Sequence, residues 1–549
     1  MSNVADVVVV GSGPAGAQAA RVLVELGLTV NLVHVGRDDD RYRQLIPDEP
    51  FATIRATDSQ QHRYFLGDDG EGVPTGSVRI GSQLTPPRQF AARDADTQLP
   101  VASDSFEPMQ SLALGGLGAA WGAAAYTYTA CELAEMGLPE GEMQQEYDAV
   151  SRDIGVSGCN DDDTGPFVAG QLSTLQPPLE IDDPHRALLS AYNRMKGQRG
   201  LDARLTLGRI PLAILSQDKD GRRANPYFDM DFWSDSRQSI YRPRYTIAGL
   251  RQHANFCTTD GVLAVRFAED ATGVTLTGIR PDHGGGVVRV RGKRLMLCAG
   301  AINSARLVLA SRDDTTTRLP LLCNPYTYMP CLQLRMLGRA ARDRRHSMAQ
   351  LQGVYRAGKD DTAALSLQFY AYRSLLNFKL VKELPLPAWA GAQAVRLLQN
   401  ALVIVGVHHA DAPQTNNWIA LAGLPTNRPA PLRAQYAPDA DKRQRQDARE
   451  REVMASLRSL GCWPTQRLHP GHAASIHYAG TLPILGEASA HQTGCTPEGR
   501  LLGTARVFVG DSSPWRFLPA KGPTLSIMAW ARRVARHLAE SLRGDRGEL

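Results

Sequence analysis

The 549-residue sequence predicts an α/β fold of two interleaved parts, one built on a parallel sheet and the other on a mostly antiparallel sheet. Three observations predict it. A complete strand, turn, helix and strand unit opens the chain; alternating strand patterns fill residues 320–455; and strand-then-helix grammar returns near residue 295 and again after residue 505.

The opening unit begins with DVVVV at 6–10, an apolar β-branched run suited to a strand buried on both faces. GSGPAG follows at 11–16, then a helix with Ala15, Ala19, Val22, Leu23 and Leu26 on one face, then TVNLVHV. Gly11 permits the tight turn, Gly13 lets backbone approach a pyrophosphate, and Gly16 allows close helix packing. Pro14 and Ala15 start the helix, whose free N–H groups and positive dipole end favour an anion. This is Rossmann-like grammar for a dinucleotide. The acid expected to bond the ribose at the end of the second strand is replaced by His34, followed by Val35. An imidazole bonds ribose hydroxyls less well than a carboxylate, and Arg37 keeps a 2′-phosphate, and hence NADP, open beside FAD.

Residues 37–104 are rich in Asp, Gly, Pro and Arg without a sustained period and read as a lid-like excursion. A small-residue run, LALGGLGAAWGAAA, occupies 112–125, and a polar helical segment, EGEMQQEYDAVSRDIG, follows. Residues 160–245 read as loop-rich. VTLTGIRP and VVRVRG then read as strands leading to RLMLCAG and the helix AINSARLVLAS. YTYMPCLQLRML, ALSLQFYAY and ALVIVGVHHA are strands of the antiparallel part, and the charges of DKRQRQDAREREVMASLRSLG form a wet helix face. The strand RVFVGDSS precedes a last helix with Ile527, Ala531, Val534, Ala535 and Leu538 on one face. Residues 1–36, 105–160, 245–315 and 460–549 are therefore assigned to the dinucleotide-binding domain. Residues 161–244 and 316–459 are assigned to a substrate domain.

Hydrophobic content of 43%, charged content of 21% and a formal charge of +5 describe a globular protein without a nucleic-acid footprint. The basic run Arg342, Arg344, Arg345 is broken by Asp343 and reads as a solvated loop. Eight scattered cysteines without a C-x-x-C pair suggest neither a zinc knuckle nor a disulfide framework. With no room for a signal peptide ahead of DVVVV, and no apolar run near the ~20 residues a membrane span needs, a soluble cytoplasmic protein is expected.

Five segments together resemble the glucose-methanol-choline (GMC) family of FAD-dependent oxidoreductases. They are GSGPAG, GGLGAAWG at 115–122, LMLCAGAINSARL at 295–307, HYAGT at 477–481, and VGDSS with GPTLSIMA at 509–529. NNWIAL at 416–421 is a weaker match in the substrate domain. The resemblance implies that Gly115, Gly116, Ala120 and Trp121 form a second flavin-contacting loop, with Val265, Ala299 and Gly300 also lining the cofactor site. Some relatives carry a covalently linked histidine where Ala120 stands, so non-covalent FAD is implied. Asp511 corresponds to the acid that bonds the ribityl or phosphate region. The helix opened by Gly522 and Pro523 is implied to aim its N-terminus, with the N–H groups of Thr524 and Leu525, at the flavin edge that gains charge on reduction. His477 resembles the catalytic histidine facing flavin N5.

Position 522 departs from the family, which places Asn or His there to bind the substrate oxygen. Loss of that donor is worth ~2 to 4 kcal/mol in the transition state unless Lys521, Arg516, Trp515 or a water substitutes. The expected function is oxidation of a CH–OH group of a sugar, polyol or secondary-metabolite alcohol, with His477 as base and oxygen or another acceptor reoxidising the flavin. Gly522 leaves two alternatives open: a flavin-dependent lyase, cyclase or rearrangement catalyst, and a flavin-holding pseudoenzyme acting as a partner protein. No metal is expected, since Pro470 and Gly471 break any helical alignment of His469, His472 and His477. His408 and His409 are adjacent in a strand and face opposite sides, so at most one reaches the substrate cavity.

Overall fold

The computed structural model describes residues 4–39, 41–72, 86–170, 172–228, 236–282, 284–339, 346, 348–371, 381, 384–485 and 492–546. The basic run at 342–345 lies outside the described residues, as do residues 73–85 of the excursion.

The sequence grammar at both ends converges on one sheet. Ala5–Val10 lies at its centre, parallel to Val30–Val33 on one side and to the second half of Gly286–Leu297 on the other. Phe256–Thr259 extends the sheet beyond Val30–Val33, also parallel. The long strand Gly286–Leu297 is shared. Its first half pairs antiparallel with Val274–Arg280, which continues to Leu263–Glu269, while Leu295–Leu297 pairs parallel with Val507–Val509. Four parallel strands thus end side by side at Val10, Val33, Leu297 and Val509, the edge of an α/β sheet where ligands bind.

Helices Pro14–Glu25, Glu140–Ile154 and Thr524–Arg546 pack together against this sheet. The last helix buries Ala531, Val534, Ala535 and Leu538 completely, the face its spacing predicts. The polar Glu140–Ile154 helix earns its place through charge as well as apolar contact. Its Glu146 takes the buried Arg532 Nε at 2.8 Å, and Arg532 Nη1 reaches Asp153 at 2.9 Å and Gln18 Oε1 at 3.0 Å.

The antiparallel sheet runs in the order Cys462–Pro464, Tyr326–Gln333, Leu402–His408, Leu365–Ala371, Leu351–Tyr355, Leu205–Arg209. Cys462–Pro464 begins just past the boundary expected at 460. NNWIAL forms Trp418–Leu421 in a separate four-stranded sheet with Leu432–Gln435, Leu319–Pro320 and Val101–Ala102 of the excursion. The region read as loop-rich contains helix Asp183–Met195 as well as Leu205–Arg209. Asp182 caps that helix by accepting the His185 N–H at 3.1 Å, and Pro184 sits in its first turn, a start signal that DDPH carries in the sequence. No described helix is long and apolar enough to cross a membrane.

Candidate functional site

Four of the parallel strands hand residues just beyond their ends to one cavity of about 610 Å³: Gly11, His34, Cys298 with Ala299, and Asp511. The glycines there are required by space and backbone. Gly11 has φ +103, and a Cβ on it would stand 2.4 Å from the Cys298 carbonyl oxygen. A Cβ on Gly16 would stand 1.8 Å from the Gly11 oxygen, so Gly16 serves helix packing and does not line the cavity. Gly13, Pro14 and Ala15 line it at the helix start. Ser12 ties the two glycine loops, accepting the Gly115 N–H at 3.2 Å and donating to the Ala113 carbonyl at 3.4 Å.

The second loop is a short 3-10 turn, Gly116–Ala119, lying against the first. A Cβ on Gly116 would be 3.2 Å from Gly13 Cα, and one on Gly118 would be 2.8 Å from Pro243 Cγ. Gly116, Ala120 and Trp121 line the cavity, whereas Gly115 does not. Trp121 is oriented by its Nε1–H, which donates to the Tyr241 carbonyl at 2.7 Å.

Val35, Ala299 and Gly300 also line the cavity. His34 Nε2 lies 2.8 Å from the Asp260 carboxylate, yet burial holds this imidazole below its ordinary range. A carboxylate therefore does stand at the end of the second strand, supplied by the neighbouring strand. Arg37 is turned elsewhere, to Asp94 at 3.0 Å, Asp282 at 2.8 Å and the Arg93 carbonyl at 2.6 Å, which leaves NADP without its expected guanidinium. Asp511 accepts the Gly300 N–H at 2.9 Å and the Ser513 N–H at 3.0 Å, and also takes the Ser304 and Ser513 hydroxyls. Its first work is to hold the turn into helix Ala301–Ser311.

At the other end, the antiparallel sheet supplies a wall. Ser366, Gln368 and Tyr370 share one face of their strand while Leu365, Leu367 and Phe369 fill the core behind it. Gln368, Tyr370, Tyr326 and His408 line the cavity, the first two through the polar alternation that LSLQFYA carries in the sequence. Gln368 Nε2 donates to Tyr126 Oη at 2.8 Å, and Tyr126 Oη donates to Gln352 Oε1 at 2.6 Å.

His477 and Gly522 meet here. Both line the cavity, and a Cβ on Gly522 would be 3.8 Å from His477 Cε1 and 3.6 Å from the Tyr126 ring, ordinary contact distances that leave room for a side chain. His477 Nδ1 is 3.0 Å from Asn324 Oδ1. Asn324 Nδ2 donates to the carbonyls of His409 at 2.8 Å and Pro519 at 2.9 Å, which fixes the amide with its oxygen toward His477. Nδ1 is therefore the protonated nitrogen, and Nε2 keeps its lone pair. Burial pushes this imidazole down to about 4, so it is neutral at pH 7. The His408 ring stacks on it, centroids 5.1 Å apart and planes 23° apart, and is also kept neutral by burial. His409 faces away, 2.9 Å from Glu450, as adjacent strand positions require.

Several expected residues stand elsewhere. Lys521 is fully buried and turned from the cavity, with Nζ 2.6 Å from Glu132 and 2.6 Å from the Phe167 carbonyl. Trp515 is buried in the core, edge-on to Tyr128, and Arg516 is exposed beside Gly137. None of these three can replace the missing group at 522. Val265 packs with Ala95, Leu99 and Ile279 in a small core cluster and does not line the cavity, whereas Val262, Leu263 and Ala264 do. Pro523, not Gly522, caps the last helix: its carbonyl accepts the Ile527 N–H at 2.8 Å. Pro523 and Thr524 line the cavity, while the Leu525 side chain is buried behind them. The first N–H groups of that helix, from Thr524 onward, have no intrahelical acceptor. Among the described residues, Asp447, Glu450 and His469 stand close enough to share an ion, but both carboxylates are already engaged by Arg467, 2.7 Å from Asp447 and 3.0 Å from Glu450.

The glycine cradle, the four strand ends and the free helix N-terminus fit a dinucleotide with a pyrophosphate at its middle. No family model matches the chain. A C-glycoside 3-oxidase from Microbacterium trichothecenolyticum is 24% identical over 98% of this chain and 97% of its own. A crystal structure of pyridoxine 4-oxidase from Mesorbium loti shares the fold with a TM-score of 0.57 at 16% identity, covering 98% of this chain and 99% of that one.

Proposed function

We propose that the chain is an oxidoreductase of the glucose-methanol-choline type acting on CH–OH donors, and that it oxidises a sugar, polyol or secondary-metabolite alcohol with His477 as base. The observation that carries the reading is the meeting of His477 and Gly522 beside the open helix start, in the same cavity that the glycine cradle enters. Gly11, Gly13, Pro14 and Ala15 would hold the pyrophosphate of FAD, with Gly116, Ala120, Trp121, Ala299, Gly300 and Asp511 along the rest of the cofactor. Ala120 offers no nucleophile for a covalent bond, which supports dissociable FAD. When bound, the flavin supplies an acceptor for the hydride that leaves the alcohol carbon, and oxygen or another acceptor would then take the electrons.

The protein's own residues manage the proton and the charge. His477 takes the hydroxyl proton at Nε2, while Asn324 holds the ring through Nδ1. The N–H groups of Thr524 and Leu525, at the positive end of the last helix, stabilise negative charge that develops beside them. Gly522 provides no ligand for the substrate oxygen, and His408 takes that place. It lines the cavity, stacks on His477, and its Nδ1 is buried without a partner among the described residues.

An absorption spectrum before and after acid precipitation tests the cofactor and its linkage; the expected result is a flavin spectrum released intact. Anaerobic mixing with a panel of sugars, polyols and alcohols should then bleach it. Turnover without net reduction would favour the lyase or rearrangement alternative, and undiminished function in His477→Ala would favour a partner protein.

A further inference from the structure

Arg306 is a buried cation that the fold leaves open. It lies on helix Ala301–Ser311, is 2% exposed and lines the cavity. Nη2 donates to the carbonyls of Leu99 at 3.2 Å and Pro100 at 3.4 Å and stands 3.5 Å from Gln110 Oε1. Nε and Nη1 are buried as well and have no hydrogen-bond partner among the described residues. Burial lowers the guanidinium to about 9 with no neighbouring charge opposing it.

Three other buried cations are compensated. Lys521 has Glu132, and Arg532 has Glu146 and Asp153. Arg222 lacks a carboxylate but donates from all three nitrogens to the carbonyls of Gln238, Ile154 and Ser239. A charge buried without such partners is strongly unfavourable, so two idle donors on a cavity wall indicate a group that arrives from outside the chain.

We propose that Arg306 receives an oxyanion in this cavity, a phosphate or carboxylate bound through a donor left open at Nε or Nη1. A charge-assisted N–H donor of a guanidinium suits a phosphate or carboxylate oxygen. The anion has two possible sources, the pyrophosphate of the cofactor or an acidic group on the substrate. Only the first rests on the flavin reading above.

The test uses the full-length protein with Arg306→Gln and Arg306→Lys. Inorganic phosphate should raise the melting temperature of the flavin-free protein, lose that effect in Arg306→Gln and keep part of it in Arg306→Lys. FAD and riboflavin affinities, followed by flavin fluorescence, identify the source. A loss of about tenfold or more for FAD in Arg306→Gln, with riboflavin unchanged, assigns the anion to the cofactor. Unchanged affinity for both, with acetate or phosphate perturbing the flavin spectrum of the loaded unmodified protein but not of Arg306→Gln, assigns it to the substrate. If phosphate and acetate leave the unmodified protein unmoved and Arg306→Gln binds FAD within about twofold, the proposal is overturned. Should Arg306→Gln fail to fold, the anion titrations of the unmodified and Arg306→Lys proteins decide. A protein that binds no FAD but responds to phosphate through Arg306 would sink the flavin reading and leave this one standing.

Discussion

The two ends of the cavity are made from different materials. The cradle end is built of backbone: strand ends, positive-φ glycines and helix starts whose positions follow from where a Cβ cannot fit. The histidine end is built of side chains, His477, His408, Gln368 and Tyr370, each oriented by a partner distant in the chain or by strand alternation. The difference teaches where each end is fragile. The first should fail by steric exclusion and take the fold with it; the second should fail chemically while the fold survives.

Gly16→Val is the most severe way to sharpen that contrast. A Cβ 1.8 Å from the Gly11 oxygen cannot be accommodated, so the expected outcome is insoluble or flavin-free protein, checked by soluble yield and absorption spectrum. His477→Ala should keep the flavin and the fold but lose about 10²–10⁴-fold in kcat, measured by anaerobic reduction. Equal losses of flavin in both variants would break the comparison.

His408→Ala should cost about 10–100-fold in kcat/KM, and Gly522→Asn in that background should recover part of it, because contacts at 3.6–3.8 Å leave room for the new side chain. Unaltered kinetics in His408→Ala would return that ring to a packing role. The smallest effect concerns pH. His477 is held near 4 in the folded protein against about 6.5 unfolded, so between those values the unfolded chain binds more protons and stability falls as pH falls. The contribution is about 2 kcal/mol by pH 5, and His477→Asn should flatten the decline in melting temperature from pH 7 to pH 5.

The same contrast explains what could be read from the sequence. Gly11, Gly13 and Gly16 are legible because a backbone demand is written directly as a missing side chain, and the strands on either side fix its context. The 477 and 522 pair was legible through resemblance alone, and the structure brings the two positions together. Lys521 and Trp515 were misread because nearness in sequence to the helix start says nothing about direction. In the non-helical lead-in, Lys521 leaves toward Glu132 while its neighbour Gly522 faces the cavity. Val265 was misread because nothing in its apolar strand tells which residues reach the cavity and which, like Val265, pack against Ala95, Leu99 and Ile279. Arg306 gave no signal, since its helix looks like any buried helix until Leu99, Gln110 and the cavity are assembled around it.

The shared strand Gly286–Leu297 sets an order of events during synthesis. Its second half waits beside Ala5–Val10 for Val507–Val509, and Gln18 waits for Arg532, 514 positions later. On the ribosome, the opening glycine turn is therefore made first and enclosed last. Until the final helix emerges, the apolar edge of Gly286–Leu297 and one face of the first helix have no partner from the C-terminal segment, a long-range closure of the kind that slows folding.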